Sequence, residues 1–96
     1  MRYFIYGNSG GIDQVKYELK HPAPNRVFNT INDMFNFFTN GIEPFSNGCS
    51  KGDLYVKYYG YDDRIKKHVY IIMTEQFYDN EVYDKTPHFL SYFVEI

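Results

Sequence analysis

Two runs rich in tyrosine, valine and isoleucine, residues 54–59 and 65–74, flank Gly60-Tyr61-Asp62-Asp63. Aromatic and β-branched side chains suit a pleated sheet, whereas Gly and Asp suit a turn. The pattern predicts a β-hairpin and therefore an antiparallel sheet. Facing pairs keep the same parity whether the loop is Asp62-Asp63 or runs from Gly60 to Asp63. Leu54, Val56 and Tyr58 then share a face with Ile65, Lys67, Val69, Ile71 and Met73, which makes that the core face. The other face carries Tyr55, Lys57, Tyr59, Lys66, His68, Tyr70 and Ile72. A three-residue loop would flip one strand and mix apolar with charged residues, so it is disfavoured.

The rest of the chain is read around this hairpin. Residues 2–6 are dense in strand-favouring types and predict a first strand. From Gln14 to Lys20 apolar and polar residues alternate, with Val15, Tyr17 and Leu19 on one side, which predicts a half-buried strand. The rival is a helix from Ile12 with Ile12, Val15 and Leu19 on one stripe; the alternation covers more residues. His21-Pro22-Ala23-Pro24-Asn25 is a connector, followed by a short extended piece at residues 26–28. Ile31, Met34, Phe35 and Phe38 are spaced as one apolar helical stripe, with Thr30 or Asn29 as N-cap and Gly41 where the helix would stop. Residues 42–53 read as a loop. Residues 75–87, with Glu75, Asp79, Glu81 and Asp84, read as a long acidic one. Residues 88–96 close the chain as a strand.

The expected fold is α+β: a twisted antiparallel sheet of four or five strands, in chain order ββαβββ, with one helix at about residues 30–40 on one face. The helical stripe would meet Leu54, Val56, Val69, Ile71, Leu90, Tyr92 and Val94. A chain of 96 residues fits a single domain.

Composition narrows the function. A net charge of −2 supplies no basic footprint for duplex nucleic acid. One cysteine, Cys49, allows neither an intramolecular disulfide nor a cysteine zinc cluster, which predicts a reducing, cytoplasmic setting. No apolar run reaches the roughly 18 residues of a membrane span. No motif implies a cofactor.

Three stretches invite a chemical reading. Gly7-Asn8-Ser9-Gly10-Gly11 fits G-x-S-x-G, the nucleophile turn of α/β-hydrolases. That turn joins a strand to a helix at the top of a large parallel sheet. Here one strand precedes it, a strand is expected after it, and the domain is too small. A β1–β2 turn is the expected role. Cys49 lies near Lys51, which would favour the thiolate, but nothing local positions a base, so a packing role is expected. Asp79, Glu81 and Asp84 lack the spacing of a calcium loop and read as a solvated acidic segment.

The most informative surface is the second hairpin face, where Tyr55, Tyr59 and Tyr70 interleave with Lys57, Lys66 and His68. Tyrosine gives contact area at small entropic cost and is enriched where proteins bind proteins. The acidic segment, with Tyr78, Asp79, Glu81, Tyr83 and Asp84, is a second candidate surface, able to imitate nucleic acid toward a basic partner. The expected function is a non-enzymatic protein that binds and inhibits a protein partner. The small build and the Asn-, Lys-, Ile- and Tyr-rich composition resemble phage-encoded inhibitors of host or defence proteins, in build and not in motif. The alternatives are a small-ligand binder, for example one that sequesters a nucleotide using the tyrosines with Lys57, Lys66 or His68, and a small hydrolase or nuclease using Ser9, Cys49 or a histidine. An edge strand also offers a route to pairing with a second copy.

Overall fold

The computed structural model describes residues 1–7, 11–39, 54–75, 77–79, 82–84 and 87–96; for 77–79 and 82–84 it describes the backbone. Strand β1 (Tyr3–Tyr6) leads to helix α1 (Gly11–Lys20). A 3-10 turn at Pro24–Arg26 precedes the short β2 (Val27–Phe28) and helix α2 (Ile31–Thr39). Then come β3 (Leu54–Asp62), β4 (Lys67–Thr74), β5 (Phe77–Asp79), β6 (Val82–Asp84) and β7 (His88–Glu95). Five strands form one antiparallel sheet in the order β2-β1-β7-β4-β3, and β5 pairs with β6 as a separate ribbon. The α+β class and the five-stranded antiparallel sheet are as the sequence predicts.

Helix α2 forms where its stripe predicts. The Thr30 hydroxyl accepts a 3.0 Å hydrogen bond from the Asp33 amide, so Thr30 is the cap. Met34 and Phe38 are fully buried, and Ile31, Phe35 and Phe37 pack around them. They meet Ile5, Leu54, Ile72 and Phe93.

The expectation of a strand at residues 14–20 is overturned: the segment is α1. In this helix Val15 is 5% exposed and Tyr17 is 61% exposed, so the two do not share a face. Asp13 in the first turn and Lys20 in the last complement the helix dipole. The Gln14 amide donates to Glu18 one turn on at 3.3 Å. The chain order is therefore strand, helix, strand, helix and then strands, with two helices. Residues 7–11 join β1 to α1 and are not a β1–β2 turn; Gly11 opens the helix at φ +75°.

The second helix changes what the sheet buries. On the α1 face Phe4, Tyr6, Val15, Val69 and Val94 form a core of their own, bordered by Leu19, Val27 and Tyr92. Successive residues of a strand point to opposite faces, so the α2 core with Ile5, Ile72 and Phe93 lies on the other side. Of the residues expected under α2, Leu54 and Leu90 are there, Val69, Tyr92 and Val94 are under α1, Ile71 pairs with Tyr92 on the α1 side, and Val56 is exposed.

The hairpin register also differs from expectation. The turn is residues 63–66, closed by the Lys66 amide on the Asp62 carbonyl at 2.7 Å, with Lys66 at φ 57°. Pairing is Leu54↔Thr74, Val56↔Ile72 and Tyr58↔Tyr70, then shifts at a bulge to Gly60↔Val69, Tyr61↔His68 and Asp62↔Lys67. Gly60 thus serves a bulge at φ +152° and not the turn. The segment read as a long acidic loop contains the β5–β6 ribbon, with Tyr78 opposite Tyr83. Its Phe, Tyr and Val residues favour strand on either side of residues 80–81.

Candidate functional site

The register sorts the sequence-predicted site residues onto different surfaces. His68 and Tyr70 face the α2 side of the sheet, paired with Tyr61 and Tyr58. Tyr55 and Lys57, paired with Met73 and Ile71, face the α1 side. Tyr59 is the extra residue of the bulge and reaches Tyr92 on the α1 side, ring centroids 5.3 Å apart. Lys66 is exposed in the turn. Glu81 and the side chains of Tyr78, Asp79, Tyr83 and Asp84 lie outside the described residues, as do Ser9 and Cys49.

Two features come together at the outer end of the β3–β4 hairpin. On the α2 side, Tyr58 and Tyr61 are each 52% exposed. The Tyr58 hydroxyl and Nδ1 of His68 share a 2.9 Å hydrogen bond. The ring of Tyr58 stands edge-on to Tyr70 at 5.4 Å, and Tyr61 stands edge-on to His68 at 5.0 Å. These contacts fix the rings in place without covering them. Val56, also exposed, continues the patch along β3. Tyr58 and Tyr61 were not singled out by sequence reasoning; the bulge that brings them beside His68 has Gly60 as its only sequence signal.

On the α1 side lies a cleft of about 160 Å³. Its floor includes Val15 and Val69, and Gly11 and Ile12 at the start of α1 form one rim. Tyr6, Tyr59 and Tyr92 supply rings, Tyr6 stacking on Tyr92 at 5.5 Å. The charged wall is Asp62 and Arg64. Both carboxylate oxygens of Asp62 are used: Oδ1 accepts from the Arg64 amide at 2.9 Å and from Nε at 3.0 Å, and Oδ2 accepts from Nη2 at 3.0 Å. The hydrogen-bonded guanidinium holds the Asp62 carboxyl below its usual range. Burial, and then the charge of Asp62, push the Tyr6 phenol up to about 12. Burial and then the Tyr59 phenol raise Tyr92. The Tyr6 and Tyr92 phenols are thus neutral O–H groups at ordinary pH.

This cleft was missed by sequence reasoning because Tyr6 read only as part of a first strand, Tyr92 as a core residue and Asp62 as a turn residue. The Asp-x-Arg spacing, which lets one carboxylate cap a turn and grip a guanidinium, was its one available signal.

With a helix after Gly11, the G-x-S-x-G stretch does connect a strand to a helix, so that part of the case against a nucleophile turn fails. The sheet is antiparallel, however, whereas the hydrolase turn sits on a parallel one. His21 contacts Tyr17 at the end of α1, His68 is on the α2 side and His88 opens β7, so the cleft beside Gly11 holds none of them. Among the described residues no helix is long and apolar enough to cross a membrane. No protein-family model matches the chain, and neither the curated proteins nor the solved structures compared with it give a match.

Proposed function

We propose that this is a non-enzymatic binding protein that engages, and thereby inhibits, a protein partner through the outer end of its β3–β4 hairpin. The observation that carries the proposal is the ordered, uncovered tyrosine patch: Tyr58 and Tyr61 stand exposed on β3 while His68 and Tyr70 hold their rings. An aromatic side chain held in its contact geometry before binding loses little rotamer freedom on association, about 0.5–1.5 kcal/mol less per residue than a free one. Interface anchors are enriched in tyrosine for that reason and for its mixed apolar and polar surface. Position in the sheet adds support. β3 is an edge strand of the five-stranded sheet, and edges and their flanking side chains are recurrent recognition elements.

The test is affinity capture from the native host with the wild-type chain and with the double variant Tyr58→Ser, Tyr61→Ser. Recovery of one specific protein by the wild type and its loss with the double variant is the expected result. Capture of no specific protein, or equal capture by both, would sink the proposal.

A further inference from the structure

The cleft on the α1 side is separate from the tyrosine patch, and its hydrogen-bond accounting is lopsided. Asp62, its carboxylate, already accepts three hydrogen bonds from Arg64. Arg64 spends only Nε and one N–H of Nη2 on that carboxylate. The remaining guanidinium N–H groups have no partner among the described residues, and the side chain is 67% exposed. A guanidinium gripped along one edge by a carboxylate presents its other edge in a fixed direction.

Tyr6 is the second observation. The residue is 6% exposed, yet its hydroxyl has no hydrogen bond among the described residues. Among the described residues no buried, sealed side-chain oxygen lacks a partner. The Tyr6 hydroxyl must therefore open onto free space, and the free space that Tyr6 lines is the cleft. Its raised pKa keeps the proton in place, so it is a donor. The third contribution is the start of α1 at Gly11 and Ile12, the positive end of a ten-residue helix. Unspent donors thus converge on one small space whose carboxylate is already engaged by Arg64.

We propose that this cleft binds a small oxyanion group, a phosphate or a carboxylate, between the outer edge of Arg64, the Tyr6 hydroxyl and the start of α1. In this arrangement Asp62 positions Arg64. Tyr59, 64% exposed at the mouth, offers a ring face to whatever the anionic group is attached to.

The test is a backbone-amide NMR titration at constant ionic strength, with inorganic phosphate in one arm, acetate in the second and chloride as the reference. Saturable shifts confined to residues 11–15 and 62–64, in at least one arm and absent with chloride, are expected. The arm that saturates at lower concentration names the source, a phosphorylated or a carboxylate ligand. Tyr6→Phe and Arg64→Gln should each weaken that binding by roughly tenfold, as expected for loss of a hydrogen bond to a charged group. Tyr58→Ser, on the opposite face, should leave it unchanged. Were Tyr6→Phe to unfold the chain, Arg64→Gln, which alters an exposed side chain, still decides. The proposal is overturned if neither anion gives saturable shifts at these amides, or if Arg64→Gln binds as tightly as the wild type.

Discussion

Helix α1 can be tested against the strand that its alternating sequence suggests, because the two arrangements assign opposite costs to neighbouring residues. Val15 is buried at 5% exposure and Tyr17 is 61% exposed. Val15→Ala removes two methyl groups from the core formed with Phe4, Tyr6, Val69 and Val94. At about 0.8 kcal/mol per buried carbon the loss is roughly 1.6 kcal/mol, and an unfilled cavity adds to it. Alanine returns up to about 0.7 kcal/mol of helix propensity. The net expectation is a destabilisation of about 1–2 kcal/mol.

Tyr17→Ala behaves differently. It loses the contact with the His21 ring one turn on, 5.0 Å between centroids, a pair of the kind that contributes about 0.2–0.5 kcal/mol. It gains a similar amount in helix propensity, so the net change should lie within about 0.5 kcal/mol of zero. In a strand, Val15 and Tyr17 would share the buried face, and removing the larger side chain would cost more, about 3–5 kcal/mol for an aromatic ring. Urea unfolding followed by far-ultraviolet circular dichroism measures both variants. A cost for Tyr17→Ala above about 2 kcal/mol, or a larger cost than that of Val15→Ala, would refute the helical assignment of residues 11–20.

Three further outcomes follow from single residues. Gly60→Ala should destabilise by about 1–3 kcal/mol because a side chain is strained at φ +152°, although nothing lies within 4 Å of where its Cβ would stand, whereas Lys66→Gly should be neutral or stabilising because it relieves φ 57°; thermal melting ranks the two. The Asp62 carboxyl is held below its usual range, so its contribution is full above the unfolded value of about 3.9 and is lost as pH falls through the folded value; Asp62→Asn should flatten the acid limb of a plot of Tm against pH. The Tyr6 phenol is raised to about 12, so its contribution is present below the unfolded value of about 10 and is lost as pH rises toward 12; Tyr6→Phe should lessen the alkaline loss of stability and remove one late-ionising phenol from an ultraviolet titration.

What the sequence made legible was decided by how local each determinant is. Helix α2 was readable to its cap because the stripe Ile31, Met34, Phe35 and Phe38 and the Thr30 hydroxyl all act within one segment. Helix α1 was not, because Val15, Tyr17 and Leu19 carry two periods at once. Which one wins depends on whether the sheet buries Tyr17, a fact held by β1, β4 and β7. The hairpin register failed for a related reason. Gly60 is as good a turn residue as a bulge residue, and the choice went to the Asp62 side chain, which caps the turn from one residue before it. An error of one position there moved every assigned face. It grouped Tyr59 with His68 and Tyr70, which the structure places on opposite sides, and it hid Tyr58 and Tyr61.

The bulge decides what both candidate surfaces contain. In strict alternation from Tyr58, Tyr61 would point to the α1 side and Asp62 to the α2 side. The extra residue at Tyr59 reverses this beyond the bulge: Tyr61 rejoins Tyr58 beside His68, and Asp62 turns to the side of Tyr6 and α1. Asp62 then brings Arg64 with it through the bidentate pair. The conformation at Gly60 therefore underlies the aromatic patch on one side and the charged wall of the cleft on the other. Residues paired before the bulge, such as Leu54 with Thr74 under α2, do not depend on it. The packed part of the sheet and its exposed end are thus specified separately: the first by apolar burial on two faces, the second by one backbone irregularity. A substitution at Gly60 that keeps the fold while restoring regular alternation would alter the partner patch and the cleft together, whereas one at Tyr58 or at Arg64 alters only its own side.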